Sequence, residues 1–480
     1  MNPAPLPDDD LSIEPPPPDD ETSGEAPSTT ARGRRELVRA IVRKVRLPKG
    51  SIVLAMFTAV SVGLGYAREV TYAYYFGTSA ALDTFLVAFT LPMAVVTLTT
   101  TVSVSALLPE YVGRLRGSKP TEARLLIRRW LSLILVTLTV VAVVLALAPG
   151  PTIALLAPGF DAAQTADAAR LLRGLLPYMI LAGAAAVYKL VLDSHQRFTA
   201  PALARGLVTA VVIGTVILTS SRFGVWALAV GYVIGGGLML GLHVVGTRGI
   251  ESRPRLRDLR WPATAGLPLA GVGWVLAQMT VGQLQSIADR FFASGLDAGS
   301  IAALNYARAT VTAPQTFVTS VLATALFPIL ARKVARGRTD AALHETRKWI
   351  LVVWAATAPL IIAFIAFRTE IVALLFERGA FDEASTGLVA SVLAILPISI
   401  AVGGSNAIVN RLLLSRRAYR FTASTAVITT TSKIGMNALM VGPLGVAGLA
   451  LASVLSGVLG LVIRLVYAWR VPPSEPSPPL

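Results

Sequence analysis

The chain has 480 residues, 54% of them hydrophobic and 15% charged, with a mean hydropathy of +0.65 and a formal net charge of +16. A water-soluble domain is nearer ~45–50% apolar and ~25% charged, so the composition excludes a soluble globular protein and indicates a polytopic membrane chain. Cysteine is absent, which excludes disulfides, thiolate metal sites and a cysteine nucleophile.

The first 31 residues hold eight acidic residues, eight prolines and no Lys or Arg. Such a segment has too little apolar surface to offset the entropy of ordering, so residues 1–50 read as a disordered acidic, Pro-rich tail that turns basic. The basic part, RGRRELVRAIVRKVRLPK (32–49), carries eight Lys or Arg and reads as a cytoplasmic segment lying against anionic headgroups. Residues 471–480 read as a second disordered tail.

Between the tails, twelve apolar runs are long enough to span a bilayer at ~20 residues each. They fall at about 52–76, 82–112, 130–147, 175–193, 201–219, 225–246, 267–292, 301–330, 350–366, 386–410, 422–441 and 446–469. The runs are continuous, whereas strands of a lipid-facing barrel would alternate, so the fold expected is all-α. Loops after the even-numbered helices carry 22 Lys or Arg and those after the odd-numbered helices five. The positive-inside rule then puts both termini in the cytoplasm. In such a chain the surplus positive charge belongs to cytoplasmic loops, and no nucleic-acid partner is expected.

The two halves resemble each other at a nearly constant offset, with the matching segments in the same order. RFTA recurs at 197–200 and 420–423, LLP at 175–177 matches ILP at 395–397, and LLPEYVGRLRG (107–117) matches LFPILARKVARG (326–337). GVWALAVG (224–231) matches GVAGLALA (445–452), and Pro92 matches Pro314. An N-terminal six-helix lobe over 51–246, a cytoplasmic linker over 247–266 and a C-terminal six-helix lobe over 267–470 follow. An even helix count gives both lobes one orientation, so the repeats are parallel, with a cavity between lobes in the manner of alternating-access transporters.

Ionisable groups inside spans face cavities or partners, and here they concentrate in the first two helices of each repeat. Arg68, Glu69 and Asp83 lie in helices 1 and 2, and Asp289, Arg290 and Arg308 in helices 7 and 8; Lys433 lies mid-span in helix 11. These seven are the candidate substrate-contacting residues. Asp83, Asp289 and Arg290 sit near helix ends, where capping or snorkelling competes with ligand contact. Lys189 lies four residues before Asp193, a spacing that makes a helix pair, and Arg205 stands apart in helix 5. Arginine forks suit phosphate oxygens, so Arg68 and Arg308, on equivalent helix pairs, are expected to line one cavity and bind a lipid-linked diphosphate. Three scattered histidines do not make a zinc site, and there is no Gly-rich nucleotide loop ending in Gly-Lys-Ser/Thr. Neither a metal nor a cofactor is expected, and no constellation of catalytic side chains marks an enzyme.

The stretch GLGYAREVTYAYYFGTSAALDTFLVAFTLP (63–92) resembles the opening of the MurJ/MviN lipid II flippases of the MOP exporter superfamily. ADRFFASGLDAGSIAALNYARATVTAP (288–314), LLFERGAFD (374–382) and MNALMVGPLGVAGLALA (436–452) resemble later blocks in the same order, so the likeness spans about 51–470. It implies a V-shaped two-lobed transporter that moves lipid-linked peptidoglycan precursor from the inner to the outer leaflet of the bacterial inner membrane. Cell-wall synthesis proteins are then expected as partners through the cytoplasmic tail, beside the membrane lipids. The resemblance puts Arg68 and Asp83 at the family's cavity positions. Val62, MAVVTLTT (93–100) and Ala309 stand where the family usually has arginine, with Arg308 one position early. Those departures keep a flippase for a lipid-linked polysaccharide unit open as an alternative. A cation-coupled multidrug exporter and an inactive envelope scaffold are the remaining alternatives.

Overall fold

The computed structural model describes residues 49–117, 119–251, 254, 272–336, 339–416 and 418–470. The acidic tail, nearly all of the basic segment, most of the 247–266 linker and the 471–480 tail lie outside the described residues. By contacts the chain divides into Met1–Ala55 and Met56–Leu480. Of the first unit only residues 49–55 are described, as the opening turns of a helix; the rest of the described fold belongs to the second.

The described residues are mostly helical and contain no strand. In order they form α1 (Lys49–Phe76), α2 (Ala80–Val102), α3 (Leu108–Arg116), α4 (Pro120–Leu147), α5 (Pro149–Leu156), α6 (Ala162–Ser194), α7 (Thr199–Phe223) and α8 (Trp226–Gly246). The second half forms α9 (Val272–Ala293), α10 (Ser300–Ala335), α11 (Thr339–Ala366), α12 (Arg368–Phe376), α13 (Glu383–Leu393), α14 (Ile398–Ser415) and α15 (Tyr419–Arg470). Helices α2 and α3 are one span joined by a π-helical turn, Ser103–Leu107. The turn falls just before Pro109, whose missing N–H cannot continue the α-helical ladder. Trp130 Nε1 donates to Ser103 Oγ at 3.0 Å and fixes the turn against α4. At 52 residues α15 is two spans, divided at Gly445. With α13 and α14 taken together and the short α5 and α12 set aside, the described residues make twelve long passages. Eight helices, the divided α15 among them, meet both the length and the hydropathy needed to cross a membrane.

The repeat is visible in backbone geometry. Gly224 ends α7 at φ 53°, ψ −135°, and Gly445, its counterpart in the sequence repeat, breaks α15 at φ 55°, ψ −137°. This left-handed region favours glycine, so the same residue makes the same reversal in each half. Asp161 caps α6 through a capping box with Gln164, and Asp382, at the same offset, caps α13 through the Ser385 amide. The short helices α5 and α12, which hydropathy alone does not reveal, occupy matching places before those caps.

Helix α6 is the most buried span, with 78% of its most apolar stretch inside the protein, against 22% for α7 and 17% for α11. Its Ala-rich run (Ala182–Ala186) lets α2, α4 and α8 approach closely, and α7 and α11 leave most of their apolar residues on the outside of the bundle. Helices pack mainly within their own half; the principal contacts between halves are α9 and α10 against α2, and α9 against α5. Several helices run past the expected spans by about one to four turns, as α6 does from Ala162 and α4 from Pro120. Those extra turns are amphipathic and carry Arg and Asp residues, which an apolarity threshold rejects.

Candidate functional site

The halves meet in a seam at the end bearing the basic-poor loops. Asp83, in the first turn of α2, accepts from the backbone amides of Gly299 and Ala302 at 2.7 Å each. A carboxylate thus sits on the positive end of α10, where unpaired amides and the helix dipole favour an anion. Tyr306 O–H donates to the Gly77 carbonyl at 3.0 Å, the Ala380 amide donates to the Tyr74 carbonyl at 2.8 Å, and the Thr78 and Ser385 hydroxyls are 2.8 Å apart. Backbones approach so closely that a Cβ on Gly299 would lie 2.1 Å from the Thr78 carbonyl oxygen, and one on Gly77 2.3 Å from that of Ala380. No side chain fits at either position, so glycine is required by contact as well as by positive φ.

Below the seam a cavity of about 460 Å³ runs between α1, α2, α6, α7, α8 and α9. At its upper end Arg68 donates to Tyr232 Oη at 3.1 Å and to Glu69 Oε1 at 2.6 Å, and lies 5.6 Å from the centroid of the Tyr72 ring. Its side chain remains 31% exposed, and the exposed face is open to the cavity. Glu69 is buried; its second oxygen accepts from Asn305 Nδ2 at 2.8 Å, which links α1 to α10. Arg290 lines the same cavity and donates to Ser286 Oγ at 3.0 Å. One wall is aromatic: the Phe89 and Tyr232 centroids are 4.4 Å apart and those of Tyr178 and Tyr232 5.2 Å. Phenol hydroxyls and arginine forks on an apolar wall suit a polar anionic headgroup attached to an apolar chain.

A second cavity, about 330 Å³, lies in the C-terminal half between α9, α10, α14 and α15. Asp289 is its centre. The carboxylate accepts from Lys433 Nζ at 2.7 Å, from Asn437 Nδ2 at 2.9 Å and from Arg308, and is 1% exposed. Two cations on one anion leave the cluster net positive.

The seven candidate residues therefore fall in three places. Arg68, Glu69 and Arg290 line the larger cavity, and Arg290 also lines a small one with Asp289 and Arg308. Arg308, Asp289 and Lys433 come together around the second cavity, so Arg68 and Arg308 line different cavities that have Ser286 as a shared wall residue. Asp83 lines neither and sits in the seam. The reason Arg68 and Arg308 separate is register. At the offset that pairs Gly224 with Gly445, Arg68 falls opposite Asp289 and Arg308 opposite Val87, so the two arginines occupy non-equivalent turns of their repeats. The Val62 side chain lies outside the described residues. Sequence reasoning missed Tyr72, Tyr178, Tyr232 and Asn305 as wall residues, because aromatic and amide side chains inside apolar helices carry no charge signal.

A closed seam at one end, a cationic cavity beneath it and two helical repeats define a multi-pass membrane transporter. The family model for the lipid II flippase MurJ matches residues 72–472, and the chain belongs to that family. It is 27% identical over 377 residues to the lipid II flippase MurJ of Burkholderia cenocepacia, covering 74% of this chain and 71% of that protein. Identity to a probable lipid II flippase MurJ of Rhizobium tropici is also 27%, over 444 residues, covering 88% and 81%. Among solved structures, a lipid II flippase MurJ in an inward closed conformation superposes with a TM-score of 0.75 at 21% identity, covering 88% of each chain. An inward-facing multidrug resistance MATE transporter of the MOP superfamily gives 0.67 at 14% identity, covering 85% of this chain and 93% of that one. At such identities the two structures speak for the fold alone.

Proposed function

We propose that this protein moves lipid II, the lipid-linked peptidoglycan precursor, from the inner to the outer leaflet of the bacterial inner membrane by alternating access. The observation that carries the reading is that Arg68 and Arg290 both line one cavity under a closed seam. Two guanidinium groups match a diphosphate bidentately, and the aromatic wall accepts the sugar faces and the start of the lipid chain. The 22-to-5 loop charge puts the seam on the outer side and both termini in the cytoplasm. The structure then represents the state in which the outer side is closed. Movement of the C-terminal lobe (267–470) against the N-terminal lobe (51–246) would part the seam and turn the cavity outward. The acidic, Pro-rich tail (1–31) is suited to recruiting basic surfaces of cell-wall synthesis proteins.

The test is expression in cells depleted of their own lipid II flippase. Restored growth together with outer-leaflet lipid II, lost again in Arg68→Ala, supports the reading. Absence of rescue by a well-expressed protein, with a different lipid-linked sugar accumulating when its gene is deleted in the host, moves the assignment to a polysaccharide-unit flippase. The sequence at Ala309 and at 93–100 favours that second reading, since uncharged residues stand where the family usually has arginine.

A further inference from the structure

The basic-rich end of the larger cavity holds a second group of polar residues that the diphosphate reading leaves unused. Lys189 on α6, Arg205 on α7 and His243 on α8 all line it. Each lies within two turns of the loop between α6 and α7 or of the end of α8, so the group marks the cavity mouth. The register of α7 against α8 brings Arg205 and His243 within about one helical turn of each other. A Cβ on Gly235 would touch Val208, and one on Gly246 would touch Ala200, so Arg205 stands opposite 238–239 and His243 one turn nearer the mouth. His243 also packs on α6: its Nδ1 is 3.0 Å from the Ala185 carbonyl, one turn before Lys189. Lys189 and Asp193 are charged groups that act on the ring.

The hydrogen-bond chemistry of His243 is informative. A carbonyl oxygen only accepts, so Nδ1 carries the proton and donates. In the neutral ring Nε2 is then an acceptor. It is buried, with the residue 3% exposed, and has no partner among the described residues. A buried polar atom without a partner is unusual and calls for a group that is absent here. Arg205 is exposed to the cavity and makes no side-chain hydrogen bond or ion pair among the described residues. Lys189 is paired with Asp193 at 2.5 Å. An uncommitted guanidinium, a shared ammonium and a buried, unpartnered imidazole nitrogen thus line the same end of one cavity. Along α8 they lie eleven residues from Tyr232, the partner of Arg68, or about 16 Å at 1.5 Å per residue.

We propose that Lys189, Arg205 and His243 form a second anion subsite, which takes an anionic group with a neighbouring N–H or O–H donor on the headgroup of the lipid-linked substrate. The anion goes to Arg205 and Lys189, and the donor to His243 Nε2. The inference rests on the transport reading above. The subsite engages the headgroup at the cavity mouth, and its spacing from Arg68 lets one extended headgroup occupy both ends. A phosphoglycerol lipid carries a similar anion and hydroxyl, so the experiment separates the two sources.

Full-length protein in phosphatidylcholine nanodiscs is titrated with lipid II, with undecaprenyl diphosphate and with phosphatidylglycerol. Arg205→Gln and His243→Gln are each expected to weaken lipid II binding about tenfold, the size of one charge-assisted or buried hydrogen bond, while Arg205→Lys keeps most of the affinity. Arg205 is exposed, so its variant leaves the fold intact whatever happens at His243. Loss with lipid II alone identifies a sugar or peptide carboxylate as the anion; loss with undecaprenyl diphosphate as well identifies a phosphate; either result upholds the subsite. Wild-type affinity in both variants overturns it, and so does a loss confined to phosphatidylglycerol. If the wild-type protein binds no lipid II, the transport reading falls with it. If wild type binds and only Arg68→Gln is impaired, the subsite alone falls.

Discussion

Asp83 and Gly299, 216 residues apart in sequence, meet at 2.7 Å through a carboxylate oxygen and a backbone amide. The contact ties the first turn of α2 to the start of α10, a carboxylate at the seam meeting the first amides of a helix. Opening the cavity at this end must break it. Asp83→Asn keeps the shape, removes the charge and puts an amide where one oxygen accepted. A hydrogen bond to a charged group contributes about 1.5–3 kcal/mol, so the closed state should lose at least tenfold in population relative to the open one. Labelling of a cysteine at Ala303, buried in the first turn of α10, should accelerate by that factor, while labelling at the exposed Ala298 stays constant. Equal rates at position 303 in both backgrounds would show that Asp83 does not hold the seam.

The Asp289 cluster calls for a different measurement. Lys433 has a side chain only 5% exposed, and its hydrogen-bonded counter-charge is Asp289. Asp289→Ala strands that ammonium, and breaking a buried pair from one side costs about 3–5 kcal/mol. Removing both charges in Asp289→Ala/Lys433→Met should recover a large part of the loss. Thermal unfolding midpoints of the purified variants in detergent read this directly. A double variant no more stable than Asp289→Ala would mean the pair is not the source of the cost.

These two contacts show what the sequence discloses and where it stops. The twelve spans, the duplication and the clustering of charge in helices 1, 2, 7 and 8 were legible because lipid imposes length, apolarity and a charge bias on every passage. Which charge meets which was not legible. Asp83, Asp289 and Arg290 look alike in sequence, each near a helix end, yet one caps α10, one anchors three donors and one lines the cavity. The difference lies in contacts between residues on different helices, and no local pattern encodes those. His243 and Tyr232 were equally silent, since a lone histidine or tyrosine in an apolar helix reads the same whether it faces lipid, a neighbour or a void. Only the left-handed glycines, Gly224 and Gly445, belonged both to the sequence repeat and to the geometry that explains it.

Membrane orientation is open to a direct check, since the chain contains no cysteine to remove. Lys119 is exposed in the basic loop before α4, with its side chain 60% exposed, and Ala298 is exposed in the loop before α10. A membrane-impermeant maleimide added to intact cells should label Ala298→Cys, and should label Lys119→Cys only after lysis. The reverse pattern would invert the topology and place the seam on the cytoplasmic side.

The seam can also be locked. Thr78 and Ser385 face each other with their hydroxyl oxygens 2.8 Å apart, one between α1 and α2 and the other in the first turn of α13. Side chains hydrogen-bonded through these short hydroxyls hold their Cβ atoms close to the ~3.5–4.5 Å span of a disulfide. Thr78→Cys/Ser385→Cys should therefore cross-link under mild oxidation without rearrangement of the backbone. If transport requires the seam to part, the oxidised protein should be inactive in outer-leaflet lipid II delivery and recover on reduction, whereas each single variant stays active. The reversibility matters, because a folding defect would not be undone by a reductant. An oxidised, fully cross-linked protein that transports at the wild-type rate would show that substrate leaves by a route that spares this contact, and the alternating opening of the seam would have to be given up.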